Sequence, residues 1–516
     1  MPRNVHVVLA VSALFLASNV LFAKSLAPFA AAVLFGGCAG SFALLALGAS
    51  RTGILGEPAQ WRLLGVLIGA AFVLLLIGGE GHVFFSKDDW LYRDAVLSDL
   101  VDGGFPVVYR EQGQDLLLRA PLGMYLLPAA VGRAVSLHAA HLALLIQNAL
   151  VLGGFFYVVA LLWPRPLAMA ALFTAFGCLD AIPFLVKTGG AWLAVNLSFW
   201  SEYWNYSNHV AQLFWNPNHV LPAWWFVALG LLLLRRELDF TAFAAGVLPL
   251  ALWSPISLMG AAAPAATFLF VAQRTGAWGR WPLLCLAAPA FLPVLVYLAL
   301  AAESVEHEWL TSKADFFDQY LIFNIFALAQ GAFVAAQWRR VDPWFRGAVL
   351  ASLVELLIFP LYSIGSMNDF SQRASLIPRA YVALAFGALL LRSLRERRPA
   401  AAAVGSTLAL IAAVSPALEI YDSLRTPRFS IGDCNLLTVH RKVHPHASLA
   451  TYLAPVGAAP RWLLGGVEAA RPKESVDRVC WPDRVYGEKL FNWLDPKYRI
   501  WLRRGAAETA PTSVVR

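Results

Sequence analysis

The chain has 516 residues, of which 59% are hydrophobic and only 14% are charged. This balance excludes an ordinary soluble domain and indicates a protein that crosses a membrane many times. The formal net charge of +8 does not indicate nucleic-acid binding, because the basic residues cluster at the ends of apolar runs, where they set topology. The short basic loops contain no Walker-type phosphate-binding loop, which argues against ATP or a nucleotide sugar as a direct substrate.

Apolar runs of about 17–22 residues recur along the chain and predict an all-α polytopic membrane protein. Alternating the runs places the basic loops on one side, which the positive-inside rule makes cytoplasmic. The N-terminus is then inside and the C-terminus outside, as expected of a multi-pass protein of a bacterial inner membrane. The expected transmembrane helices, about thirteen, are residues 5–22, 26–48, 62–80, 139–162, 167–185, 218–234, 239–254, 256–273, 281–301, 319–337, 346–364, 378–394 and 399–416.

The outer side receives most of the polar sequence, in four loops and a tail. These are residues 81–137, 186–217, 302–318, 365–377 and 417–516. We therefore divide the chain into a transmembrane domain, residues 1–416, and a small extracytoplasmic region, residues 417–516. The tail contains Cys434 and Cys480, which could form a disulfide if the tail lies in an oxidising compartment.

The first outer loop begins with Lys87-Asp88-Asp89-Trp90, directly after an apolar run. Two adjacent carboxylates at a membrane boundary can act as a general base or hold a cation. Trp90 is expected to anchor them at the interface. Apolar positions up to Leu100 recur at helical spacing and predict a short helix that lies in the interface.

Other charged side chains of this predicted helix are assigned simpler roles. Arg93 can pair with Asp89 at i,i+4. Asp94, Asp99 and Asp102 are interpreted as solvated or helix-capping residues without a chemical role.

A second in-plane helix is expected to begin at Pro121, within the segment LLLRAPLGMYLLPAAVGRAVSL. A span that ends in an outer acidic pair, followed by an interfacial helix and this segment, resembles the GT-C superfamily of polytopic glycosyltransferases. Lipid-A aminoarabinose transferases and protein O-mannosyltransferases are similar there, although Ala120-Pro121-Leu122-Gly123 retains only one of their two prolines. The segments DWLYRDAVLSDL, NPNHVLPAW and NDFSQRASLIP also resemble a set found together in bacterial membrane proteins of this type.

The resemblance implies transfer of a sugar from a polyprenyl-phosphate donor in the bilayer to a glycan, lipid or protein acceptor on the periplasmic face. It implies that Asp88 or Asp89 is the catalytic base, or that Asp89 binds a divalent cation such as Mg²⁺ or Mn²⁺. Elementary chemistry agrees, because a carboxylate must take the acceptor's proton as the anomeric bond breaks. The choice between the two aspartates stays open at this point.

A departing lipid phosphate needs a cationic partner on the same face. Arg373 is the best candidate, because a planar guanidinium suits bidentate phosphate binding; alternatively, it only pairs with Asp369 at i,i+4. Asn368 and Asp369 are predicted to contact substrate. His219, at the start of a span, could bind the phosphate or the acceptor, and Lys187 is a weaker alternative for the phosphate.

The loop at residues 186–217 and the residues just after it are dense in aromatic, Asn and His side chains. Aromatic faces and amides suit sugar rings, so Trp215, Asn218 and His209 are predicted to contact substrate. An interfacial aromatic belt accounts for most of the tryptophans without such a role.

Two other functions remain open at this point. A transporter or flippase of lipid-linked glycans would need intramembrane charges, for which Asp180 and Glu355 are the candidates. Glu355 could instead be neutral and hydrogen-bonded between helices. An outer-face glycan polymerase or ligase would use the aromatic loop and Arg373 but would not need Asp88 and Asp89.

Overall fold

The computed structural model describes residues 2–50, 52–188, 197–365, 368–443, 448–467, 470–476 and 480–481. Within these ranges the chain is predominantly helical, with twenty-three α-helices and five short β-strands. Most of the predicted tail up to residue 476 is described, whereas residues 482–516 of that region, which include Trp493, lie outside the described residues.

The helices follow one another with short connections. The first twelve are α1 (Asn4–Ala23), α2 (Pro28–Gly48), α3 (Trp61–Ile77), α4 (Asp89–Gly103), α5 (Gly123–Ala134), α6 (Leu137–Leu162), α7 (Pro166–Thr174), α8 (Ala181–Thr188), α9 (His209–Trp215), α10 (Pro217–Leu234), α11 (Phe240–Val247) and α12 (Pro255–Met259). The others are α13 (Ala262–Thr275), α14 (Trp281–Ala287), α15 (Leu292–Ala299), α16 (Phe316–Ala327), α17 (Ala329–Ala336), α18 (Pro343–Ile358), α19 (Asp369–Ala374), α20 (Leu376–Arg395), α21 (Pro399–Ala412), α22 (Val414–Arg425) and α23 (Leu436–Val443).

Eight helical stretches in the described part of the chain are long and apolar enough to cross a membrane, or nine if the bent pair α16–α17 forms one span. They coincide with eight of the predicted spans. They are α1, α2, α6, α10, α20 and the segments Trp281–Ser304, Pro343–Leu361 and Pro399–Arg425. The total of thirteen spans and their orientation stay predictions.

The remaining predicted spans correspond to shorter or broken helices. α3 is continuous but has 17 residues. The run at 167–185 is divided into α7 and α8, and the run at 256–273 into α12 and α13. The α16–α17 pair is bent by 65° at Leu328. Hydrophobicity alone does not reveal such breaks, because they are set by packing and by caps such as Ser254, whose hydroxyl accepts from the backbone of Ser257 at the start of α12.

α10 forms the centre of the bundle. Every residue of the helix is buried, and it packs against α6, α11 and α20. The peripheral helices instead leave large apolar side chains exposed, among them Phe29, Leu286 and Leu410. Apolar side chains on so much of the outer surface are what a bilayer would cover.

Two small sheets connect segments that are far apart in sequence. β1 (Val108–Glu111) and β2 (Gln114–Leu118) form an antiparallel hairpin, to which β5 (Leu453–Pro455) adds on the β2 side. β3 (His307–Trp309) pairs antiparallel with β4 (Tyr362–Ile364). These strands cannot be predicted from the sequence. Each strand has only three to five residues, and its pairing depends on partners far away in the chain.

The tail packs onto the first predicted outer loop. Asp99 of α4 accepts hydrogen bonds from the Tyr109 hydroxyl (2.7 Å) and the Leu436 amide (3.0 Å), and it lies 3.1 Å from the Lys473 ammonium. Cys434 and Cys480 are joined as a disulfide. The tail and the first loop therefore form one packed unit.

Candidate functional site

The beginning of α4 holds an acidic and a basic residue on the same face. Asp89 Oδ2 lies 3.3 Å from Arg93 Nη2, in the predicted i,i+4 pairing. The same guanidinium nitrogen donates to the carbonyl oxygen of Trp215 (2.7 Å) and to Asn216 Oδ1 (2.8 Å). The Arg93 side chain is 5% exposed, whereas Asp89 is 41% exposed. The cation is therefore fixed in the interior and leaves the carboxylate accessible at the edge.

α19 presents a second pair of the same kind. Asp369 Oδ1 lies 2.9 Å from Arg373 Nη2, again at i,i+4, and both side chains are about one fifth exposed. Asn368 precedes the helix with φ of 50°, accepts from the Ser371 amide and donates to the Tyr203 carbonyl oxygen (2.8 Å). Asn368 thus caps and orients α19. Its amide oxygen and its amide nitrogen both have protein partners, so its position is explained without a bound substrate.

The two pairs belong to one electrostatic group. Burial raises the pKa of the Asp369 carboxyl, Arg373 and Arg93 oppose that rise, and Asp89 adds to it. The pKa of Tyr452 is raised by burial and responds to all four of these charges. We call Asp89, Arg93, Asp369 and Arg373 the four-charge cluster. Two loops that eight predicted spans separate in the sequence therefore lie close enough to interact electrostatically.

Three tyrosines line the four-charge cluster. Tyr92 and Tyr452 stack with ring centroids 5.7 Å apart and an interplanar angle of 18°, and the Tyr92 hydroxyl lies 3.2 Å from His440 Nδ1. Burial raises the pKa of Tyr125, which also senses Arg93, Tyr452 and Asp89. Tyr452 comes from the tail, and no local pattern in the sequence near it indicates a role in a site.

Trp215 of α9 and His219 of α10 approach the same group. His219 lies within electrostatic range of Arg93 and Arg373. Its Nδ1 is 2.6 Å from the Ser254 hydroxyl, and its Nε2 is 3.2 Å from the Asn218 amide nitrogen. Trp215 accepts from Arg93 through its carbonyl oxygen and donates through its indole to Glu419 (3.3 Å). Asn218 Oδ1 is buried without a hydrogen-bond partner in the described structure.

Lys187 and His209 make their described contacts elsewhere, and Asp88 lies at the start of α4. Asp88 precedes α4 and makes no side-chain capping bond to it. Lys187 donates to the carbonyl oxygen of Trp200 (2.8 Å). His209 is buried against the rings of Phe173 and Trp224, with centroids 4.4 and 5.0 Å away, so its position is that of a packing residue.

The first loop forms the predicted short helix, but this helix is buried within the protein. All residues of α4 from Trp90 to Leu100 are buried, because α5, α6 and α23 cover them. Trp90 is not an interfacial anchor, since its indole donates to the Phe214 carbonyl oxygen (2.7 Å) in the interior. Asp94 and Asp99 are likewise buried, not solvated; only Asp102 of the three is exposed.

Two groups of side chains that include residues of α4 offer ligands for a cation. Asp89 and Asp369 are oxygen donors of the kind that Mg²⁺ and Mn²⁺ prefer, although each already contacts a guanidinium. The cation at Asp89 stays a prediction. Farther along α4, Asp94 forms a separate buried group with His82 and His141.

A cavity of about 240 Å³ lies apart from the four-charge cluster and shares no lining residue with it. Its basic lining includes Arg165, Arg340 and Arg392, which belong to the loops predicted to be cytoplasmic. Glu396 pairs with Arg340 and Arg392 at 2.7 Å each, so two of the basic side chains that line this cavity already have an acidic partner.

The four-charge cluster combines an accessible carboxylate, a partly exposed guanidinium, a buried imidazole and several tyrosines. This set can take a proton from a hydroxyl and bind an anion close by. No family model, curated protein or solved structure matches this chain.

Proposed function

We propose that the protein is a glycosyltransferase that moves a sugar from a polyprenyl-phosphate donor to an acceptor of the cell envelope. The observation that carries the proposal is the convergence of Asp89 and Arg373, which come from separate loops, in one cluster with Arg93 and Asp369. The acceptor is a hydroxyl group of a glycan, lipid or protein.

The chemistry assigns one role to each partly exposed residue. Asp89 takes the proton of the acceptor hydroxyl as its oxygen bonds to the anomeric carbon. The bond from that carbon to the phosphate oxygen breaks, and the electron pair leaves with the lipid phosphate. Arg373 neutralises the charge that develops on this phosphate. Asp369 positions Arg373, and Arg93 positions Asp89, through the two i,i+4 pairs.

The position of the cluster suits a donor embedded in the bilayer. His219 is the third residue of α10, and Arg373 lies just before α20; both helices are apolar enough to span a membrane. Their N-terminal ends carry partial positive charge, which favours a phosphate nearby. We place this end of the bundle on the periplasmic face of the inner membrane, and the Cys434–Cys480 disulfide supports that placement, since disulfides persist in oxidising compartments.

The transporter alternative has less support, because the two carboxylates it would use already have local partners. Glu355 accepts from the amide of Ala263 (2.7 Å). Asp180 accepts from the Trp200 indole (2.8 Å) and the Ser198 hydroxyl (3.2 Å). Asp180 and one oxygen of Glu355 therefore hold neighbouring segments together, whereas Glu355 Oε2 is buried without a hydrogen-bond partner in the described structure.

The proposed function is tested in two ways. Purified protein in lipid vesicles should release polyprenyl phosphate from a synthetic polyprenyl-phosphate sugar when an envelope extract supplies acceptors. Mass spectrometry of envelope glycans from cells with and without the gene should show one sugar modification that depends on the gene and identify its acceptor. Unchanged glycans together with no release of polyprenyl phosphate would reject the proposal.

We predict that Arg373→Gln lowers kcat/KM for the donor by about 10²–10³-fold, the usual effect of losing one charge-stabilising donor. Asp369→Asn should cause a smaller loss, because it only weakens the positioning of Arg373. Both values come from initial rates at varied donor concentration. Arg110→Gln is the matched control, since it removes an exposed Arg–Asp pair on the β1–β2 hairpin. Equal rates for Arg373→Gln and this control would remove Arg373 from the mechanism.

A further inference from the structure

A buried cluster of two imidazoles and one carboxylate lies one and a half turns along α4 from Asp89. Asp94 belongs to α4, His141 to α6, and His82 to the turn between α3 and α4. Gly79 and Gly81 have φ of 96° and 81° in this turn, and His82 itself has φ of 59°. A non-glycine residue in this left-handed conformation is uncommon, so the turn is shaped to direct His82 inwards.

The three side chains converge as ligands do. His82 Nε2 lies 3.2 Å from Asp94 Oδ2, and His141 Nδ1 lies 3.8 Å from Asp94 Oδ1. One ligand atom from each residue lies within 4.8 Å of the others. Tetrahedral coordination with bonds of about 2.0–2.2 Å separates ligand atoms by about 3.3–3.6 Å. Small adjustments of these side chains would therefore enclose one ion.

The polar atoms of this cluster are incompletely paired in the described structure. Asp94 Oδ2 faces His82 Nε2 at 3.2 Å, whereas Asp94 Oδ1, 3.8 Å from His141 Nδ1, and His141 Nε2 have no hydrogen-bond partner. Their side chains are 3% and 2% exposed. Unsatisfied polar atoms at this depth are costly and call for a physical explanation.

The surroundings of His82 match those of a metal ligand. Its Nδ1 is 3.2 Å from the Phe429 carbonyl oxygen, so Nδ1–H can donate there, and with an ion bound the Nε2 lone pair would coordinate it. Metal-binding histidines usually donate their second ring nitrogen in this way, which fixes the tautomer. Arg428 donates to the His82 carbonyl oxygen (2.9 Å) and anchors the same segment.

We propose that His82, Asp94 and His141 bind a divalent transition metal of the Zn²⁺ type. Two imidazoles and a carboxylate suit Zn²⁺ better than Mg²⁺ or Ca²⁺, which prefer oxygen ligands. The ion would link α4, α6 and the His82 turn, and a fourth position would remain for water. It would therefore act as a structural clamp that positions α4, and this inference does not depend on the glycosyltransferase proposal.

The test is metal analysis of full-length protein purified without chelator. We expect about one Zn²⁺ per chain, removal by a strong chelator, and a lower thermal unfolding midpoint afterwards that added Zn²⁺ restores. Adding Co²⁺ to the stripped protein should give the visible absorption bands of a four-coordinate nitrogen–oxygen site. Stripped protein that takes up neither Zn²⁺ nor Co²⁺ would overturn the proposal and leave a buried His–Asp ion pair.

Variants localise the ion. His141→Gln and Asp94→Asn should reduce bound metal and the Co²⁺ bands to background. His138→Gln should bind metal like the wild type, because this exposed histidine lies one turn away on the same helix. Stoichiometric metal in His141→Gln and Asp94→Asn would show that it binds elsewhere and reject the assignment. The Co²⁺ spectrum is recorded on wild-type protein, so the proposal can still be tested if a variant fails to fold.

Discussion

Asp89→Asn is expected to lower the transfer rate by about 10²–10⁴-fold, the usual contribution of a positioned general base. The amide cannot take the acceptor's proton, but its oxygen can still accept the hydrogen bond from Arg93. The protein should therefore still fold, while the rate of sugar transfer falls. The measurement is the single-turnover rate of sugar transfer in vesicles at saturating donor, which separates the chemical step from binding.

Asp88→Asn is the matched control, because it changes the same group one position earlier in the chain. Asp88 precedes α4, whereas Asp89 is the member of the four-charge cluster, so we expect Asp88→Asn to keep most of the rate. Equal losses in the two variants would mean that the pair acts together. Full activity of Asp89→Asn would remove the proposed base and favour the polymerase or ligase alternative.

Asp99→Ala is expected to release the tail from the first loop. Breaking a buried ion pair by removing one partner typically costs about 3–5 kcal/mol, and Asp99 also accepts from Tyr109 and Leu436. Each 1.4 kcal/mol is tenfold in an equilibrium, so the population with an undocked tail should rise by about 10² to 4 × 10³-fold. Cleavage of the tail by an added protease tracks this population when opening is fast.

Asp102→Ala supplies the matched comparison, because Asp102 contacts the same Lys473 ammonium at 2.6 Å but is 77% exposed. An exposed pair contributes only about 0–1 kcal/mol, so cleavage should change several-fold at most. Similar cleavage rates for Asp99→Ala and Asp102→Ala would show that burial of Asp99 does not hold the tail. A tail that opens in Asp99→Ala should also slow transfer, because Tyr452 would leave the four-charge cluster.

The sequence predicted the features that depend on local spacing. Apolar length located α1, α6 and α10, and an interval of four residues predicted the Asp89–Arg93 and Asp369–Arg373 pairs. The sequence also indicated that Cys434 and Cys480 could form the disulfide that the structure contains. It could not predict how deeply α4 is buried, because the covering helices lie elsewhere in the chain.

The rest of the site depends on contacts between distant segments. His82 and Asp94 lie near each other in sequence, but their partner His141 comes from α6, and no short motif joins the three. Tyr452 reaches the four-charge cluster because β5 pairs with β2. Asp94 was interpreted as solvated because charged residues near loops usually are. Its burial follows from the packing of α5, α6 and α23 against α4.

The pairing of β5 with β2 also determines when the site is completed during synthesis. Asp89 and Arg373 leave the ribosome before Tyr452 does, and chain elongation proceeds at about 5–20 residues per second. The strand that brings Tyr452 into place cannot pair until the whole helical bundle has been translated. A nascent or prematurely terminated chain would therefore hold the four-charge cluster without Tyr452 beside it.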